Sequence, residues 1–137
     1  FESGSSRPLD FGHWAAHKLE YMTDYKMRHG EAVAVGMALD LTYAHLIGLI
    51  NEGTLKRILN TLEAIGFDLY IPLEKESDIN VLLAGIEEFR EHLGGELTIT
   101  LISKIGTKHD VHEIDLQKMR EAIGMLNNLC KPKMSLY

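Results

Sequence analysis

The chain has 137 residues, 45% of them apolar and 25% charged, which suits one globular domain with a core of its own. A net charge of −6, from 14 basic and 20 acidic residues, excludes general nucleic-acid binding, which needs a basic face. The single cysteine, Cys130, excludes an internal disulfide and suits a reducing, cytoplasmic compartment. Residues 1–9 read as a loop, and their polar character leaves no secretory signal legible. The chain opens on Phe1-Glu2-Ser3-Gly4-Ser5-Ser6 and reads as a piece of a longer protein.

Asp10 is placed to cap a helix from Phe11 to Thr23, whose apolar positions Phe11, Trp14, Ala15, Leu19 and Met22 recur at helical spacing. His13 and His17 share a neighbouring stripe. A polar loop, Asp24 to Arg28, leads to a second helix that begins at Gly30 and is apolar nearly all round. Such a helix belongs in the middle of a bundle. Gly36 and the alanines admit a close neighbour, and the helix ends near Gly48. The run from Ala32 to Ile50 is broken by Asp40, Thr42 and His45, so it reads as a buried helix and not as a membrane span.

Asn51 or Thr54 caps a third helix through Leu55, Ile58, Leu59, Leu62 and Ile65, which stops at Gly66. Residues 67–77, with Pro72, form an extended connection. Ser77 or Asp78 caps a fourth helix through Ile79, Leu82, Leu83, Ile86, Phe89 and Leu93, closed by Gly94-Gly95. Leu97 to Ile102 alternates as a strand does, and a shorter strand lies near Lys108 to His112. Asp115 caps a last helix through Leu116, Met119, Ile123 and Leu126. The expected fold is mainly α, a helical bundle with a small β element.

Chemistry concentrates in His13, His17 and His29. Positions i and i+4 of a helix lie one above the other, so His13 and His17 can approach one small target. A divalent metal is the usual target of neutral imidazoles, and a catalytic zinc keeps about three protein ligands and one open position. From spacing alone this reading stands beside a plainer one, in which the histidines are surface residues. Arg7 can fork onto a carboxylate or phosphate just before a helix start. Glu31 suits the first turn of its helix, and Lys18 reads as a solvated lysine. His45, His92, His109 and His112 are scattered and carry no site. Cys130 reads as structural.

Two blocks, Leu9-Asp10-Phe11-Gly12-His13-Trp14-Ala15-Ala16-His17 and His29-Gly30-Glu31-Ala32-Val33-Ala34-Val35-Gly36-Met37, resemble the C-terminal domain of 3-dehydroquinate synthase. That family carries Asn-x-Gly-His-x-x-x-His-Ala and then His-Gly-Glu-x-Val-Ala-x-Gly-Met at the same separation. The similarity continues to the end of the sequence, through Ile105-Gly106 after the strand. The resemblance implies a two-domain sugar phosphate cyclase, whose N-terminal domain, absent from these residues, binds NAD and whose helical C-terminal domain binds zinc or another divalent metal such as cobalt. Its reaction transiently oxidises a heptulose phosphate, eliminates phosphate, restores the alcohol and closes a carbocycle. By the resemblance, His13 and His29 are metal ligands, a third ligand being a glutamate upstream of this chain. His17 moves protons beside the substrate, and Arg7, Asp10 and Arg90 bind it. The partner is a small-molecule sugar phosphate, with no nucleic acid and no membrane, and the full-length protein is expected to be a homodimer. The isolated chain is expected to be inactive.

Three positions depart from the family pattern. Asp10 stands where the family has asparagine, and Arg7 lies three residues before it instead of four. Phe89-Arg90-Glu91-His92 occupies the place of Asp-Lys-Lys, where Arg90 can replace the phosphate-holding cation and Glu91 cannot. Aspartate only accepts hydrogen bonds where an amide both donates and accepts. All three changes fall where substrate is read, which opens a second substrate: sedoheptulose 7-phosphate, as in cyclases that give valiolone-type products. A non-catalytic helical metal-binding domain is the competing class.

Overall fold

Helix α2, His29–Leu46, is the axis of the molecule, and every other helix except α4 packs directly on it. The structure, a computed structural model, describes residues 13–73, 75–92, 99–104, 107–111 and 113–131. In chain order α1 spans His13–Met22, then α2, α3 Glu52–Ile65, α4 Glu76–His92, β1 Ile99–Lys104, β2 Thr107–Val111 and α5 Leu116–Leu129. The mainly α bundle with a small β element is therefore the fold.

The burial of α2 follows from its composition. Ala32, Val35, Ala38, Leu39 and Ala44 are fully buried, and Ala34, Leu41 and Tyr43 nearly so. Small residues on several faces let α1, α3 and α5 approach together, as an all-round apolar helix requires. The outer helices are one-sided: α5 buries Met119, Ala122, Ile123 and Leu126, a stripe at the i, i+3, i+4, i+7 spacing. Gly85 is the point of closest approach between α1 and α4, where an added Cβ would stand 3.3 Å from Lys18 Cβ.

Local signals set most boundaries. The Asn51 side chain accepts from Thr54 N, and Asp115 accepts from Gln117 N and Lys118 N. Gly66, at φ 124°, ends α3 in a conformation that favours glycine. The fourth helix departs from expectation: it starts at Glu76, so Ser77 and Asp78 lie inside its first turn. Lys75 O accepts from both Asp78 N and Ile79 N. An acidic side chain is as favourable inside a helix's first turn as at its cap, because both face unpaired N–H groups. The second helix likewise begins at His29, one residue early. Gly94-Gly95 lies outside the described residues.

Residues 67–73 form neither helix nor strand and run into the core, with Leu69 and Ile71 fully buried. Asn127 of α5 serves as their partner strand: its Oδ1 accepts from Ile71 N at 2.7 Å and its Nδ2 donates to Ile71 O at 2.9 Å. Tyr43 Oη accepts from Asp115 N at 3.0 Å, tying α2 to the cap of α5. β1 and β2 pair antiparallel from Ile99↔Val111 to Lys104↔Thr107, with an irregularity between Ile102 and Lys104.

Candidate functional site

The site begins with the turn between α1 and α2. Tyr25 N donates to Glu20 O at 2.7 Å and Asp24 N to Tyr21 O at 3.0 Å. This closure puts Asp24 at φ 55° and Tyr25 at φ 61°, both left-handed. Thr23 Oγ1 donates to Leu19 O and accepts from Met27 N, and the Met27 side chain is buried. The chain is thus folded back sharply, and the first residue of α2 arrives beside the last turns of α1.

That return brings His29 to Glu20. His29 Nδ1 lies 3.2 Å from Glu20 Oε1, and His17 Nδ1 lies 3.6 Å from the same oxygen. The first is a hydrogen bond; the second is a charge contact beyond bonding reach. The two rings stand 6.3 Å apart between centroids, tilted by 42°. The His17 and His29 side chains are 63% and 64% exposed, whereas Glu20 beneath them is only 14% exposed. Two open imidazoles therefore share one half-buried carboxylate.

Beside this cluster is a cavity of about 640 Å³, lined by Trp14, His17, Lys18, Tyr21, Glu88 and Phe89, with Gly85 at its wall. Lys18 is not the solvated lysine expected from the sequence. Its side chain is 14% exposed and Nζ donates to Glu88 Oε2 of α4 at 2.7 Å, because Gly85 lets α4 approach. The ammonium also sits 5.8 Å from the Tyr21 ring centroid. Below, Trp14 Nε1 donates to Asp40 Oδ1 at 2.8 Å in a fully buried contact.

Of the residues singled out from sequence, His17 and His29 come together. His13 heads α1, one turn before His17, but its side chain lies outside the described residues, as does that of Arg90 in α4. Arg7 and Asp10 lie outside them altogether. Glu31 stands in the first turn of α2 and does more than face its dipole: Oε1 accepts from Asp68 N at 3.0 Å, holding the segment 67–73. His45 Nδ1 donates to Ile50 O at 3.0 Å, and Cys130 is buried as the C-cap of α5, so both are structural. His109 lies in β2 and His92 ends α4, but their side chains, and His112 entirely, lie outside the described residues.

The sequence reading missed Glu20, Asp40 as the Trp14 partner, and Glu88. A carboxylate three residues after His17 and a charge inside an apolar helix were the available signals.

Among the described residues no group of three or more histidine, cysteine, aspartate or glutamate side chains is arranged to hold a metal. His29 is nonetheless suited to contribute to one. With its Nδ1–H donated to the Glu20 carboxylate, His29 keeps its lone pair on Nε2, the arrangement common to metal-bound histidine. Imidazole nitrogen suits zinc. No helix among the described residues is long and apolar enough to cross a membrane.

Residues 1–88 match the family model for the C-terminal region of 3-dehydroquinate synthase. The 3-dehydroquinate synthase of Dictyoglomus thermophilum is 34% identical over 123 residues, covering 89% of this chain and 34% of that protein. That of Corynebacterium jeikeium is 30% identical over 105 residues, covering 77% and 28%. A solved 2-epi-5-epi-valiolone synthase from Streptomyces hygroscopicus subsp. jinggangensis, with NAD+ and Zn2+ bound, matches with a TM-score of 0.84 at 26% identity, over 93% of this chain and 34% of that one. The chain thus spans about a third of the length of these relatives.

Proposed function

Because the chain belongs to the 3-dehydroquinate synthase C-terminal family, we propose that it is the metal- and substrate-facing domain of a sugar phosphate cyclase that eliminates phosphate from a heptulose phosphate and closes a carbocycle. The observation that carries this is the meeting of His17 and His29 over one shared carboxylate, with His17 also lining the neighbouring cavity. His13 and His29 hold the metal, together with a residue outside this chain. Residues outside it also hold NAD. When bound, zinc supplies a Lewis acid and the nicotinamide the redox step.

The chain's own residues do the rest. His17 lines the cavity and takes up and returns a proton as phosphate leaves, the general acid–base role that imidazole most often fills. Arg7 and Arg90 supply cations for the phosphate, and Asp10 accepts a hydrogen bond from a substrate hydroxyl. Trp14 and Phe89 give the cavity an apolar wall.

Aspartate in place of asparagine at position 10, together with the likeness to a valiolone synthase, favours sedoheptulose 7-phosphate as a second substrate reading.

The test is zinc content and turnover in the full-length protein. His13→Ala and His29→Ala are expected to lose both together. His17→Ala is expected to keep zinc and lose turnover by roughly 10²- to 10⁴-fold, the usual share of general acid–base catalysis. Full zinc content in both ligand variants would refute the assignment.

A further inference from the structure

We propose that Glu20 is a positioning residue that fixes the His29 tautomer and so aims Nε2 at the metal. The inference rests on the reading of His29 as a ligand, and it concerns a residue to which that reading gives no role.

Glu20 is placed by the helix and by the turn that follows it. It lies on α1, three residues after His17, so its side chain follows the same face. Its carbonyl receives Tyr25 N at 2.7 Å, so the helix end at Glu20 is part of the turn that returns the chain. Its side chain is 14% exposed beside two imidazole side chains more than 60% exposed, so the acceptor is the buried member of the cluster.

The chemistry is asymmetric. A carboxylate can only accept, so at 3.2 Å it selects the ring with the proton on Nδ1 and leaves the lone pair on Nε2. Alone, a neutral imidazole divides between two tautomers. Metal-bound histidines commonly donate their second nitrogen to such a carboxylate, and loss of the partner typically costs ten- to a hundredfold in affinity. His17, at 3.6 Å from the same oxygen, feels the charge without the directional bond. Glu20 thus orders His29 through the directional bond and meets His17 through charge alone.

Glu20→Gln decides the matter, because the amide has the same shape but can donate as well as accept, and so no longer selects one tautomer. In the full chain, with histidine ¹⁵N-labelled, metal-free and neutral, long-range ¹H–¹⁵N correlation reads which nitrogen carries the proton. The wild type is expected to show His29 with Nδ1–H alone and Glu20→Gln a mixture, while the Trp14 indole signal stays in place as a marker of the fold. Zinc titration is expected to weaken ten- to a hundredfold in Glu20→Gln. Glu20→Ala is expected to behave likewise. A wild type with the His29 proton on Nε2, or a Glu20→Gln variant with unchanged tautomer or unchanged zinc affinity, overturns the proposal. Failure of the wild type itself to bind zinc, with Nδ1–H intact, instead sinks the ligand reading on which the proposal stands.

Discussion

Helices α1 and α2 meet across two polar contacts of opposite kind. Facing inward, Trp14 Nε1 meets Asp40 at 2.8 Å, with both side chains almost entirely buried. Facing outward, Glu20 meets His29 at 3.2 Å, under imidazoles that are mostly solvated. A buried charged acceptor is costly unless hydrogen-bonded, so the inner contact belongs to the stability of the pair. The outer contact buries little and stabilises little, yet it spends a left-handed turn at Asp24 and Tyr25 to exist. The same helix pair is thus sealed on one side and kept open on the other, with Trp14 joining the two because it also lines the cavity beside His17.

The largest effect that would break this contrast lies at Trp14. Trp14→Ala removes a buried aromatic and is expected to cost about 3–5 kcal/mol in chemical denaturation. Trp14→Phe keeps most of the volume but leaves Asp40 without the indole donor, with an expected cost of about 1.5–3 kcal/mol. Neither is expected to alter the His29 tautomer.

A smaller effect comes from Tyr43→Phe, which removes the acceptor of Asp115 N and is expected to cost about 1 kcal/mol. Tyr43 also gives a pH signature. Burial, before any other cause, raises its phenol above the ordinary 10.0. The raised folded value means that its contribution is complete below the unfolded value and is lost as pH rises through the folded one. Thermal stability of the wild type should therefore fall in the alkaline range above pH 10, and Tyr43→Phe should flatten that fall. The smallest stability change, within about 0.5 kcal/mol, is expected for Glu20→Gln, even as zinc binding weakens.

Sequence and structure agree where the cause is local. Asn51 and Asp115 cap their helices because a short oxygen-bearing side chain needs only the next two or three N–H groups. The all-round apolar pattern of α2 placed it in the centre for the same reason: composition alone dictates it. Agreement fails where the partner is distant. Lys18 looked solvated because Glu88 is 70 residues away and Gly85 is what admits it. The start of α4 at Glu76 was hidden because Ser77 and Asp78 suit a cap and a first turn equally. The role of Glu20 was hidden deepest, since it depends on a turn built from aspartate and tyrosine in left-handed conformations with no glycine to announce it. His17 and His29 were legible from spacing, but the carboxylate between them was not.

The sharpest single measurement is zinc stoichiometry of the full-length protein carrying His29→Ala, set against the same protein carrying Trp14→Phe. If the outer contact is the site and the inner one the brace, the first variant keeps its denaturation midpoint and loses its zinc, while the second loses stability and keeps full zinc when folded. Zinc retained in His29→Ala, or lost from folded Trp14→Phe, would contradict that division of the two faces.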